Sequence, residues 1–175
     1  MEKYLLPTYN RTSVSFVKGN GIWLEAEDGS KYLDIGSGIA VNILGHCNKE
    51  LVSALTDQAQ ELWHTSNLYR VTKQEKLAEI LVLNTFADMA FFTNSGTEAI
   101  ECAIKMARKF HSHNQDNRHE IISFDGSFHG RTFGAISTSN ARKMIEGFGP
   151  LLPGCKSIDL KDEGLIIDAI TAKTA

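Results

Sequence analysis

The chain holds 175 residues, 42% of them hydrophobic and 22% charged, with a formal net charge of −3 and an isoelectric point near 6.1. That is enough chain for an ordinary globular domain with a real core. An acidic balance without a basic stripe excludes nucleic acid or an anionic membrane as the main partner, and no stretch approaches the roughly 20 apolar residues of a membrane span.

The N-terminal run Met1-Glu2-Lys3-Tyr4-Leu5-Leu6-Pro7 has no apolar signal core and turns polar quickly. From 13 to 35 short apolar alternations, Ser13-Val14-Ser15-Phe16-Val17, Ile22-Trp23-Leu24 and Tyr32-Leu33-Asp34-Ile35, are separated by Gly19-Asn20-Gly21 and Asp28-Gly29. Glycine and Asn-Gly supply the positive φ of tight hairpins, so this segment is predicted to be a three-stranded antiparallel meander. Gly36-Ser37-Gly38 and Gly45 then frame a loop around 39–44. Asn48 opens a helix with Leu51, Leu55, Ala59 and Leu62 on one face. Thr72-Lys73-Gln74-Glu75 has capping-box spacing and opens another, carrying Leu77, Ile80 and Leu81. A boundary near 65–72 divides a small N-terminal segment, 1–70, from the start of a larger α/β region, 71–175.

Beyond it the pattern becomes strand–helix–strand: 89–92, 97–110 and 121–124. A crossover of that length favours parallel pairing, with ligand groups at the strands' carboxyl ends. The turns 94–97 and 125–132 both fall there and are expected to face one crevice. A last helix, 163–172, carries Leu165, Ile166, Ala169 and Ile170. The chain stops soon after it without another strand, so the α/β pattern looks interrupted. Cys47, Cys102 and Cys155 are odd in number, far apart and outside C-x-x-C spacing, as in a protein of the reducing cytoplasm.

The most informative turn is Phe92-Thr93-Asn94-Ser95-Gly96-Thr97-Glu98-Ala99. A helix N-terminus carries unpaired N–H groups and a partial positive charge, and Gly96 admits close backbone approach, so the turn suits a phosphate. Ser95-x-x-Glu98 is equally a capping box; a capped turn can still present the Gly96 and Thr97 N–H groups outward. No P-loop and no G-x-G-x-x-G is present. Ser95 lacks the G-x-S-x-G setting of a hydrolase nucleophile. Phe128 is either an ordinary core ring or the cover of a flat cofactor. Arg131 is either a surface ion-pair partner or a planar fork for a substrate carboxylate. His129 is read as packing or a hydrogen-bonded linker. His111, His113 and Asp116 have only loose metal-like spacing in a polar loop, and no metal is expected. Glu101 is expected to pair with Lys105 at i+4, while Lys105, Arg108 and Lys109 complement the helix's negative end. Phosphate turn, ring and guanidinium together suggest a pyridoxal-phosphate enzyme acting on an amino acid.

These runs, with Tyr32-Leu33-Asp34, 38–46, Ser66-Asn67-Leu68-Tyr69, Lys105-Met106-Ala107-Arg108-Lys109, Phe128-His129-Gly130-Arg131-Thr132 and Gly147-Phe148-Gly149-Pro150 in one order, resemble the N-terminal half of a class-III, pyridoxal-phosphate-dependent aminotransferase. The pattern is most similar to members acting on N-acetylornithine. The resemblance implies an α/β, fold-type-I transferase of which 71–175 is the first part of the large cofactor-binding domain. It implies pyridoxal 5'-phosphate held by Ser95, Gly96 and Thr97, with Phe128 on the ring. Arg131, and more loosely Tyr9, would contact substrate. Thr97 stands where many relatives have alanine, which leaves a backbone contact intact. The expected reaction is amino transfer between N-acetylornithine and 2-oxoglutarate in arginine biosynthesis, by a cytoplasmic homodimer with loops 36–44 and 66–69 near the subunit interface. Ornithine, succinylornithine and 4-aminobutyrate enzymes are the alternative, as is a non-catalytic fragment. The family's Schiff-base lysine, the aspartate facing the pyridine nitrogen and a second arginine lie downstream, so no catalytic residue is expected within this chain. It is read as truncated, and inactive by itself.

Overall fold

The computed structural model describes residues 4–161 and 163–175, so Met1, Glu2 and Lys3 of the polar N-terminal run lie outside the described residues. The chain divides into two compact units, Met1–Val71 and Thr72–Ala175.

In the first unit β1 (Phe16–Asn20), β2 (Trp23–Ala26) and β3 (Lys31–Leu33) form the antiparallel meander in the order β1-β2-β3. Its first strand starts later than the apolar alternation suggests. Asn20 faces Trp23 across the ladder, which leaves Gly21-Ile22 as the two-residue turn rather than 19–21. Gly21, at φ 57, supplies the left-handed conformation that turn requires. The same residue exchanges backbone hydrogen bonds with His46, at 2.9 and 2.8 Å, and so ties the following loop to the meander.

That loop contains α1 (Ser37–Ala40), where Ser37, Ile39 and Ala40 hold φ of 46, 66 and 61. Left-handed backbone costs an L-residue about 1–2 kcal/mol. Asp34 offsets part of this cost: its Oδ1 accepts from the backbone N–H groups of Gly36 (3.1 Å) and Ser37 (2.8 Å), and its Oδ2 from His46 Nε2 (2.7 Å). α2 (Lys49–Glu61) starts at Asn48, whose side chain accepts from the N–H groups of Glu50 and Leu51 at 3.0 and 3.2 Å. Its apolar face is not covered: no residue of α2 is buried. Ile35, Ile39, Val41, Ile43 and Leu44 are likewise exposed, so the loop's apolar side chains do not find packing within the described residues.

The second unit begins with α3 (Thr72–Asn84) and α4 (Gly96–His113). The expected strand at 89–92 is irregular, with Met89 and Phe91 exposed. A strand exists through its ladder, and this segment pairs with no described residue. β4 (Ile121–Phe124) instead pairs in parallel with β5 (Cys155–Ile158), in register from Ile121↔Cys155 to Phe124↔Ile158. The connection between them carries α5 (Phe133–Ser137) and α6 (Arg142–Ile145), and α7 (Glu163–Ala169) follows. A single parallel bridge, Glu120↔Thr174, extends the β4 side.

The core of this unit is formed by Ile104 of α4, Ala135 and Ile136 of α5, Ile158 of β5 and Ala169 of α7. Full burial of a side chain such as Ile104 contributes about 1.5–3 kcal/mol. Arg108 does not serve the helix end, because α4 runs on to His113. It donates from Nε to His119 O (3.0 Å) and from a terminal nitrogen to Pro153 O (2.5 Å), fixing α4 against both strands' entries.

Candidate active site

The turn before α4 is a complete capping box. Ser95 Oγ accepts from the Glu98 N–H at 3.2 Å, and Glu98 Oε2 accepts from the N–H groups of Ser95 (3.0 Å) and Asn94 (2.6 Å). Ser95 acts there as an acceptor, so its own hydroxyl proton is still available to a ligand. The N–H groups of Gly96 and Thr97 meet no acceptor among the described residues. A Cβ built on Gly96 would find nothing within 4 Å. Capping does not use up the turn's donors: the box engages the N–H groups of Glu98, Ser95 and Asn94, and those of Gly96 and Thr97 are left without an acceptor among the described residues at a positive helix end.

The second segment follows β4. Ser127 donates through Oγ to Phe124 O at 2.5 Å, and its N–H donates to the same carbonyl at 3.2 Å, which turns the chain sharply. Phe128 emerges 65% exposed, so it is not the core ring its residue type suggests. Gly130 is buried at φ 117, and a Cβ there would stand 2.7 Å from Thr97 Cβ. Only glycine allows both that backbone conformation and that approach. The loop bearing Phe128 and Arg131 is thus laid directly on the first turn of α4. The two turns converge as expected, but through contact between α4 and the loop rather than through neighbouring strands.

Past Arg131, which is exposed, Thr132 Oγ1 donates to Glu101 Oε1 of α4. Glu101 therefore does not form the i+4 pair with Lys105. No local pattern points to this contact, because its partners lie 31 residues apart. His129 lines a cleft of about 410 Å³ between α4 and β4, with Ile100, Ile104 and Ile121. His111 Nδ1 stands 3.1 Å from Asp116 Oδ2, which also accepts from Arg118 Nε at 3.0 Å. Among the described residues no group of three His, Cys, Asp or Glu is placed to hold a metal ion. Tyr9 belongs to the first unit, with the Arg11 guanidinium 5.3 Å from its ring centroid. Burial pushes the Cys155 thiol above its ordinary value, against an opposing pull from Arg108. No helix among the described residues is long and apolar enough to cross a membrane.

Comparison with known proteins places this geometry in context. Residues 5–173 match the family described as aminotransferase class-III. The chain is 54% identical over 172 residues to an acetylornithine aminotransferase of Rhodobacter capsulatus, covering 98% of this chain and 44% of that protein. It is 46% identical to one of Clostridium acetobutylicum, covering 99% and 45%. It therefore spans less than half the length of the curated relatives it matches. Among solved structures, the ornithine aminotransferase of Toxoplasma gondii superposes with a TM-score of 0.89 at 28% identity, over 96% of this chain and 40% of that one. A second structure of that enzyme, with a TM-score of 0.89 at 27% identity over the same shares, is described with partial occupancy of PLP at its active site. The N-acetylornithine aminotransferase of Stenotrophomonas maltophilia superposes with a TM-score of 0.74 at 37% identity, over 93% and 39%. The fold is that of the fold-type-I aminotransferases, and the chain belongs to the class-III aminotransferase family.

Proposed function

We propose that the whole protein transfers an amino group between N-acetylornithine and 2-oxoglutarate, with pyridoxal 5'-phosphate as cofactor, as a cytoplasmic homodimer serving arginine biosynthesis. The residues present fit that cofactor. Two unpartnered N–H groups, a hydroxyl proton and open space at Gly96 suit its phosphate, and the exposed Phe128 ring suits its flat ring. Pyridoxal phosphate, when bound, supplies the electron sink for charge left on the substrate carbon that loses its proton. Ser95, Gly96 and Thr97 hold the phosphate, Phe128 covers one ring face and excludes water from it, and Arg131 pairs with a substrate carboxylate. Tyr9 is a further substrate contact.

The observation that carries this reading is the seating of Gly130 on Thr97, which brings a phosphate donor and the Arg131 loop into one place. Choice of the N-acetylornithine reaction rests on sequence: 54% identity to the Rhodobacter enzyme against 28% to the Toxoplasma ornithine enzyme. The Toxoplasma structure's TM-score of 0.89, against 0.74 for the Stenotrophomonas N-acetylornithine enzyme, does not separate the two substrates, since the backbone path is common to the family. A panel of amino donors on the whole protein distinguishes them. The half-reaction is expected to be fastest with N-acetylornithine; a clear preference for free ornithine overturns the assignment.

A further inference from the structure

We propose that Glu101 is a positioning residue for the Arg131 loop, acting through Thr132; this rests on the reading of Arg131 as the carboxylate-binding residue. Thr132 is the N-cap of α5, the position where a threonine side chain ordinarily accepts from its own helix's N–H groups, yet it makes no such bond. Its hydroxyl is turned to Glu101 Oε1 instead. Glu101 has given up the alternative open to it as well, since Lys105 one turn on is not its partner. The first turn of α5 also lies close against this carboxylate: a Cβ on Gly134 would lie 2.6 Å from Glu101 Oε1 and 2.5 Å from Oε2.

Arg131 therefore sits between two anchors on the same helix, Gly130 on Thr97 and Thr132 on Glu101. The anchored residues on α4 are 97 and 101, one turn apart on one face. Without the second anchor, the C-terminal side of the Arg131 loop is tied down by α5 alone, through the Ile136 N–H to Thr132 O bond at 2.8 Å and the burial of Ala135 and Ile136. A planar fork must meet a carboxylate in one orientation, so loss of orientation weakens substrate capture before it weakens cofactor binding.

The test compares Glu101→Ala, Glu101→Gln, Thr132→Val and the double variant in the whole, cofactor-loaded protein. Amide hydrogen exchange over 128–134, the cofactor dissociation constant and the second-order rate constant of the half-reaction with amino donor are read for each. Glu101→Ala is expected to speed exchange in the loop and to lower the rate constant between about tenfold and a hundredfold, the scale of a misplacement near 1 Å. Cofactor affinity should stay within about threefold. Glu101→Gln should recover the wild-type pattern, because its amide oxygen accepts the same hydroxyl. Adding Thr132→Val to Glu101→Ala should cost nothing further. Additive losses, a failure of Gln to rescue, or parallel loss of cofactor and rate overturns the proposal. If Glu101→Ala does not fold, Thr132→Val breaks the same bond, and unchanged exchange in it is equally contrary. If the wild type takes up no cofactor, the functional reading fails, while exchange alone still decides whether Glu101 holds the loop.

Discussion

Arg131 and Gly96 divide the proposed chemistry between two different groups, so they should fail in opposite ways. In the whole protein, Arg131→Lys keeps the charge but loses the planar fork. Once bound substrate covers the exposed Arg131, mismatching one partner of the charge pair should cost about 2–5 kcal/mol, a loss on the order of thirtyfold or more in the half-reaction with amino donor. Cofactor binding, followed by absorbance, should be unchanged. If Arg131→Lys releases cofactor while its half-reaction with bound cofactor is normal, its assignment is wrong. Gly96→Val is the converse. A Cβ there meets nothing within 4 Å, so the fold should tolerate it and the thermal midpoint should hold. Its bulk stands where the phosphate approaches, and losing charge-assisted bonds of about 1.5–3 kcal/mol should weaken cofactor affinity by roughly tenfold to a hundredfold. Unchanged affinity in this variant would place the phosphate elsewhere.

At the scale of elements, the loop after the meander is held by one carboxylate. The hydrogen bond from His46, then those from Ser37 and Gly36, hold the Asp34 carboxyl below its ordinary value of 3.8. A folded-state value below the unfolded one means that this contribution is fully present above the unfolded value and is lost as pH falls through the folded one. Stability against urea should therefore drop on acidification below about pH 4, and Asp34→Asn should flatten that limb while lowering stability at neutral pH. An identical acid limb in the variant would show that Asp34 is not its source. The helices α2 and α4 and the meander were legible because their signals are local: Asn48 and Ser95-x-x-Glu98 are caps, and Gly21 is a turn residue. The loss of 89–92 as a strand, and β5 at Cys155-Lys156-Ser157-Ile158, were not. A strand's identity lies in its partner, and a run with one strongly apolar residue gives no period to read. The Glu101–Thr132 contact was hidden for the same reason, and a local i+4 rule pointed to Lys105 instead.

At the scale of the whole molecule, exposed apolar side chains are the dominant feature. Ile35, Ile39, Val41, Ile43 and Leu44 in the first unit are 61–94% exposed, and Trp63 and Leu68 are 86% and 87% exposed. Surfaces of this kind mark contact with further chain or with a partner. The whole protein is expected to sediment as a dimer at micromolar concentration, and a monomer there would remove the homodimer from the proposal. The central claim is narrower: the N-terminus of α4 and the loop after β4 form one cofactor and substrate site. A crystal structure of the whole protein with pyridoxal phosphate tests it most directly. The expected result is phosphate oxygens about 2.7–3.2 Å from the backbone nitrogens of Gly96 and Thr97, with the ring stacked on Phe128. A phosphate bound away from this turn, or a ring packed against another side chain, would contradict it.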